Sequence, residues 1–533
     1  MRPLSRRAVL SAVTLVALAA CQPSPSPRGP IAAAFPAPAA PCPSALAPVD
    51  DTPQPPDVEP PPAADAAIYA TSTEQEAIAR KLAGSILVGG HAFDYLRDLT
   101  DTYGARLTGS PAYALAAAWA AESFKRAGVD SVRFEEVTIP HGWERRDASA
   151  RLVAPLDRAL HVLPSPWSEP TPPEGVRGEV YVLTDFSTEA IRARSSALRG
   201  KIVLASRDVY STKGKYSWPR IVAAPAELKK AGALAILMYS GLEGQAMRVS
   251  SGGTLARIDS PIPRALIGQE DALLLRRLSE KGPVTITYAN TSPVTGPVKV
   301  PEVLAEIRGR EKPDEWVLVG AHLDSWDLAT GAQDNGSGSA EVLEAARAIR
   351  ALGVPSRRSI RFALFCGEEQ GLYGSESYVR AHANELDKGV LVLVSDGGAG
   401  APIGWDLNGR EDAKRRLQPL ATSLLAGLGG DKLDAEGMFC GSDDCSFMLR
   451  GVPTAGLMTE RAKYESLYHL PSDTLDKVNR AALDAGAAIM AVTAYAVADA
   501  PVRLARRNDR ATVRANLVKG DLLEQVQAQG SWK

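Results

Sequence analysis

The sequence predicts an α/β fold, a mostly parallel or mixed sheet sandwiched by helices, interrupted by a small β-rich insertion. Strand-like and helix-like runs alternate from Val317 onward, as in sheets whose crossovers are helical. Ahead of them, residues 150–291 change texture to short β-rich runs separated by Gly, Pro and Ser turns. The length of 533 residues also exceeds what one hydrophobic core usually organises.

In chain order, Arg2, Arg6 and Arg7 make a positive start, and 8–20 is an apolar run too short for a stable membrane span. Residues 1–21 therefore predict an export signal. Leu18-Ala19-Ala20-Cys21 resembles a bacterial lipobox, which implies cleavage before Cys21 and lipidation of its sulfur; plain cleavage nearby is the alternative. Ser5-Arg6-Arg7-Ala8-Val9-Leu10 also resembles a twin-arginine export signal. Residues 22–67 are rich in Pro and Ala, a composition that favours extended, solvated chain and reads as a tether.

Residues 68–149 and 292–501 read as one discontinuous domain, with 150–291 inserted into it and 502–533 left as a charged C-terminal tail. In the first half, 74–83 and 114–127 have helical spacing, Gly128 stops the second, and 132–139 alternates as a strand. The insertion offers strands at 178–183, 201–205, 233–238 and 284–288, with a helix at 223–230. The second half alternates strand and helix through 317–321, 340–352, 359–366, 374–382 and 389–395, with further helices at 412–425 and 480–498. Of the five cysteines, Cys366 sits in an apolar run, and an oxidising compartment would allow Cys440 and Cys445 to pair. A net charge of −2 without a basic stripe gives no pull toward nucleic acid.

Functional residues of α/β sheets gather beyond the carboxyl ends of strands. Here those ends deliver His322 and Asp324, then Glu368 and Glu369, then Asp396. Asp334 lies in an Asp-Asn-Gly turn before a helix, and Tyr468-His469 follows much later. Two divalent ions held 3.5–4 Å apart need a bridging carboxylate, further anionic ligands and a carboxylate left free as base. Zinc accepts both imidazole and carboxylate. Two His, three acidic ligands and an adjacent Glu meet that need. Each piece alone is an ordinary turn, surface pair or packed histidine; their shared position at strand ends makes the pattern.

The order of these residues closely resembles the zinc aminopeptidase/carboxypeptidase family, in particular its plasma glutamate carboxypeptidase (carboxypeptidase Q) branch. The resemblance runs from about Asp94 to Asp499. It includes Tyr103-Gly-Ala-Arg-Leu-Thr-Gly-Ser110, Ile139-Pro-His-Gly-Trp-Glu-Arg145, Ala321-His-Leu-Asp-Ser-Trp-Asp327, Gly367-Glu-Glu-Gln-Gly371 and His469-Leu-Pro-Ser-Asp-Thr474. The insertion resembles a protease-associated domain through Arg199-Gly-Lys-Ile-Val-Leu204 and Ala231-Gly-Ala-Leu-Ala235, which implies a lid, pocket wall or oligomer contact.

The resemblance implies a zinc-exopeptidase fold and two Zn2+ per chain. Asp334 would bridge them, Glu369 and His469 would complete one site, and His322 and Asp396 the other. Glu368 would act as general base toward a metal-bound hydroxide, Asp324 would hold the His322 ring, and Tyr468 would donate to the oxyanion, a packed aromatic being its alternative. Asn335 stands where the branch tends to have an acid, and Val394 where it often has Glu; both bear on the surroundings of the site. The Cys440–Cys445 loop resembles a substrate-pocket loop that carries a disulfide in some relatives, so Asp443 or Asp444 either lines the site or sits in a surface turn. Trp326 either walls the pocket or packs in the core.

The expected function is hydrolysis of short peptides by an aminopeptidase or dipeptidase, as an exported cell-envelope lipoprotein anchored through Cys21. Short peptides or dipeptides are the expected partners, nucleic acid is not, and a second copy of the chain is an additional candidate. The alternatives are a glutamate-preferring carboxypeptidase, a non-catalytic ligand-binding lipoprotein, and a one-zinc acyl-transfer relative of the glutaminyl cyclase kind.

Overall fold

The computed structural model describes residues 71–212, 215–250 and 260–533; the signal, Cys21, Cys42 and the 22–67 tether lie outside the described residues. All described residues belong to one compact unit. Its larger sheet has eight strands, in the order Ser131–Ile139, Val298–Ile307, Arg358–Phe365, Lys312–His322, Gly389–Val394, Thr454–Thr459, Pro402–Asp406 and Lys432–Asp434. The central four run parallel, while Val298–Ile307 pairs antiparallel to Arg358–Phe365 and Pro402–Asp406 antiparallel to Thr454–Thr459. Parallel strands are buried on both faces, and the residues from Trp316 to Ala321, Phe362 to Phe365 and Val390 to Val394 are correspondingly apolar rather than alternating. Register sets His322 beside Phe365 and Gly320 beside Val394, so the ends of three strands open onto the same edge of the sheet.

Helices cover the faces of this sheet. Ser337–Leu352 packs against Arg480–Asp499, and Thr73–Gly89 and Pro111–Ala127 add to the same layer. Arg480–Asp499 is apolar around most of its circumference because it is enclosed within the protein. At the start of Ser337–Leu352, Gly338 allows a close approach. A methyl group there would come within 2.4 Å of both the Asn335 side-chain oxygen and the Ser395 carbonyl.

Between Ser131–Ile139 and Val298–Ile307 the chain leaves to build a second eight-stranded sheet, whose inner strands include Val176–Val182, Lys201–Ser206, Ala235–Tyr239 and Arg264–Ile267. One apolar cluster crosses from this insertion to the larger domain. Trp143, Trp167 and Trp326 lie in sequence through it, with ring centroids 5.6 and 6.1 Å apart. The observed architecture is thus the expected α/β sandwich with a β-rich insertion.

Residues 502–533 differ from the charged tail expected of them. They form the helices Arg510–Lys519 and Leu523–Gln529. Val513, Leu517, Val526 and Trp532 are buried against Met448, Leu449 and the disulfide-bonded Cys440 and Cys445. The apolar side chains are spaced for helix faces, but Arg503, Arg506, Arg507 and Arg510 dominate the composition and mask that periodicity. Cys366 is free and fully buried.

Glu341, on the helix Ser337–Leu352, is buried against Gly486 and lies 2.5 Å from Ser395 Oγ. Burial pushes its carboxyl up to about 8, with the Ser395 contact opposing. A raised folded-state pKa stabilises the fold below the unfolded value and loses that stabilisation as pH rises toward 8. Glu341→Gln should therefore be more stable than the parent between pH 5 and 8, the gap widening by about 1.4 kcal/mol per pH unit at most. Parallel denaturant titrations across that range measure it, and equal slopes would contradict it.

Candidate active site and metal centre

Each functional side chain is set by the end of an element. His322 is the last residue of Lys312–His322, Glu368 and Glu369 follow Arg358–Phe365, and Asp396 follows Gly389–Val394. Asp334 lies in the turn leading into Ser337–Leu352. His469 comes after the short helix Ala462–Leu467 and holds a left-handed backbone, φ 57°, which is uncommon for a residue other than glycine.

The fold gathers these residues into two adjoining groups. His322 Nε2 lies 3.2 Å from Asp396 Oδ1 and 3.3 Å from Asp334 Oδ1. His469 Nε2 lies 3.2 Å from Asp334 Oδ2 and 3.0 Å from Glu369 Oε2. Within each trio the ligand-type atoms fall inside 4.8 Å of one another, and Asp334 is common to both. Its two oxygens face different histidines. Imidazole nitrogens and carboxylates form the donor set that zinc takes, and the split of Asp334 suits a carboxylate shared by two cations. Glu368 belongs to neither trio; it is partly exposed and lines the adjacent cavity with Tyr468.

Residues 302–494 match the family model described as peptidase family M28. Over 423 residues the chain is 34% identical to carboxypeptidase Q of Rattus norvegicus, spanning 78% of this chain and 87% of that protein. The chain belongs to peptidase family M28. Among solved structures, a peptidase M28 precursor from Shewanella amazonensis SB2B is 29% identical with a TM-score of 0.72, covering 82% of this chain and 99% of that one. BSAP, a zinc aminopeptidase from Bacillus subtilis, shares the fold at 23% identity and a TM-score of 0.61, covering 79% and 98%.

The electrostatics of the M28 site are those of acids packed too closely to ionise together. Burial would lower the His322 pKa, but Asp396, Asp324 and Asp334 raise it well above the ordinary imidazole value. His469 is carried to about 10 against the same burial penalty by Glu369 and Asp334. Burial raises Glu369 to about 7, with His469 opposing and Asp334 adding. Burial likewise pushes Glu368 well above the carboxylate range, opposed by His322 and reinforced by Asp396 and Glu369. Asp334 alone is held low, its two histidines outweighing burial. Without a cation, protons must supply the missing positive charge.

Neighbours orient the histidines. His322 Nδ1 lies 3.1 Å from the Asp324 carbonyl oxygen and 3.6 Å from the Asp324 carboxylate, so backbone and side chain both face the ring. Asn335 donates to the Ser395 carbonyl and accepts from Gly338 N, a pairing an ionised acid could not make in full. Asp443 and Asp444 are both buried: burial raises Asp443 to about 8, and Asp444 accepts from Asn408. Neither lies in a metal trio. Trp326 is buried and meets the His469 ring edge-on at 5.5 Å.

Three contributors escaped the sequence reading. His469 Nδ1 donates to the carbonyl of Val249, 2.8 Å away in the insertion, and Val249 N donates back to the His469 carbonyl. Asp473 accepts from the backbone N–H groups of Gln333 and Asp334, fixing the turn that carries the shared carboxylate. Arg106 is buried and donates to the carbonyls of Leu323, Thr330 and Gly331, bracing the loop behind His322. Asp473 and Arg106 fall in motifs already conspicuous in the sequence, whereas a carbonyl bond across domains has no residue-type signature.

Two outcomes follow. Asp473→Asn keeps the shape but removes one acceptor, and should weaken metal binding by about 10–100-fold while the fold persists. Competition with a chromophoric chelator measures this, and unchanged affinity would discount the role of Asp473. Because His469 holds its proton until about pH 10 in the metal-free protein, metal uptake at pH 7 should release protons. Binding heats should then vary with the ionisation enthalpy of the buffer, and affinity should fall as pH is lowered.

Proposed function

We propose that this chain is a two-zinc exopeptidase that removes single residues from short peptides or splits dipeptides. Membership of family M28, with relatives named as carboxypeptidase and aminopeptidase, makes it a metallo-exopeptidase. The observation that carries the two-ion reading is the division of the Asp334 oxygens between the His322–Asp396 and Glu369–His469 groups.

Zinc ions held by those two trios would supply Lewis acidity at the scissile carbonyl and a bound water with its pKa lowered to about 7. Glu368, beside Glu369 but outside both trios, takes the proton from the attacking water and returns it to the leaving amine. Burial keeps the Tyr468 phenol protonated well above its ordinary range, so it remains a donor for the oxygen that gains charge. Asp324, facing His322 Nδ1, holds that ring for coordination through Nε2. The cavity outside Glu368 and Glu369, about 520 Å3 in volume, suits a short peptide rather than a folded protein. Export and anchoring through Cys21 complete the proposal; the Cys440–Cys445 bond supports an oxidising compartment.

Glu368→Gln tests the central role. The variant should retain two zinc ions per chain by elemental analysis yet lose about 10²–10⁴-fold in turnover of dipeptides and aminoacyl nitroanilides. Comparable rates would remove Glu368 as base, and a parent protein saturating at one zinc would overturn the paired-ion reading. A metal-replete parent inert toward every peptide would favour ligand capture instead.

A further inference from the structure

The cavity beyond the two trios has a wall that the proposed chemistry does not use. It is lined by Glu368, Glu369, Tyr468 and His469, and the insertion contributes Arg207, Arg248 and Arg264 to the same lining. Among the described residues, the only acidic side chains lining it are Glu368 and Glu369. The lining therefore combines two carboxylates, which cations would neutralise, with three arginines.

Arg264 is the informative member. It is only 8% exposed, and among the described residues its guanidinium has no hydrogen-bond or ion-pair partner. Its backbone is held firmly: it sits in the strand Arg264–Ile267, paired with Ile236, and its carbonyl accepts from Ser165 N, Ser168 Oγ and Tyr288 Oη. Burying an arginine without an anion is costly, and proteins ordinarily supply a carboxylate in such a position. Here no such carboxylate pairs with Arg264 among the described residues, and Arg264 lines the peptide cavity. Arg248, by contrast, is already engaged, donating to the Glu465 carbonyl and lying 5.5 Å from the Tyr468 ring centroid. Its role is to add positive potential beside the site.

We infer that Arg264 is a specificity-determining residue that binds a carboxylate of the substrate. The inference rests on the exopeptidase reading for the identity of the ligand as a peptide. A guanidinium fork receives a carboxylate through two parallel N–H bonds, which gives position as well as attraction. Peptides carry carboxylates in two places, the free C-terminus and acidic side chains. A terminal carboxylate held by Arg264 while the scissile carbonyl faces Glu368 would restrict substrates to peptides short enough to span the cavity.

The test uses the zinc-loaded full chain and four ligands: Ala-Ala, its C-terminal amide, Ala-Glu amide and Ala-Gln amide. Affinity is also read by calorimetry with N-methylated, cleavage-resistant versions of each. If the free terminus is the ligand, Ala-Ala should bind and turn over at least about tenfold better than its amide, the worth of one charge-assisted bond. If an acidic side chain is the ligand, Ala-Glu amide should exceed Ala-Gln amide by the same margin. In either case Arg264→Gln should abolish the preference by raising KM for the carboxylate ligand, with kcat and the neutral ligand little changed, and Arg264→Lys should restore part of it. No preference in the parent, or equal losses on charged and neutral ligands in Arg264→Gln, would overturn the inference. Charge-selective binding without cleavage of any peptide would leave it standing and overturn the exopeptidase reading instead.

Discussion

Buried acids and imidazoles around Asp334 repel or attract one another more strongly than any surface pair, because little water intervenes to screen them. His322 and His469 draw opposite oxygens of that single carboxylate, and Asp396 and Glu369 stand behind them. Such a group is tolerable only when positive charge occupies its interior. The parallel strands make that crowding possible, since adjacent strand ends converge on one edge and leave their side chains nowhere else to go. The rest of the molecule can be read as support for it: Asp473 and Arg106 fix the loops, and the helix starting at Ser337 closes in through Gly338.

The insertion is part of the same construction. Its Trp167 links Trp143 to Trp326 and so to the edge of His469, and its Val249 carbonyl fixes the tautomer of that ring. The C-terminal helices add to it: Gln525 donates to the Cys440 carbonyl, and both Gln525 and Gln529 line the cavity. The pocket is therefore assembled from three separate stretches of chain around one floor.

Much of this was legible beforehand because it is written in residue type and local order. Alternating apolar runs and helical spacing gave the central sheet, and His322, Asp334, Glu368, Glu369, Asp396 and His469 stood out as chemistry at strand ends. The unread parts depend on non-local geometry. Val249 acts through its backbone, which every residue shares, and Arg264 gains meaning only because no acid among the described residues pairs with it in space. The helices Arg510–Lys519 and Leu523–Gln529 were obscured for a different reason: their burial is against a disulfide loop distant in sequence, so local composition pointed to solvent.

The two-way bond between Val249 and His469 has a mechanical corollary. A hinge that swung the insertion outward to admit a larger guest would also unseat one imidazole, so gaping and cation retention oppose each other. Entry and exit of cargo should accordingly proceed by small breathing motions around a nearly closed jaw, and metal loss becomes the penalty for opening wide.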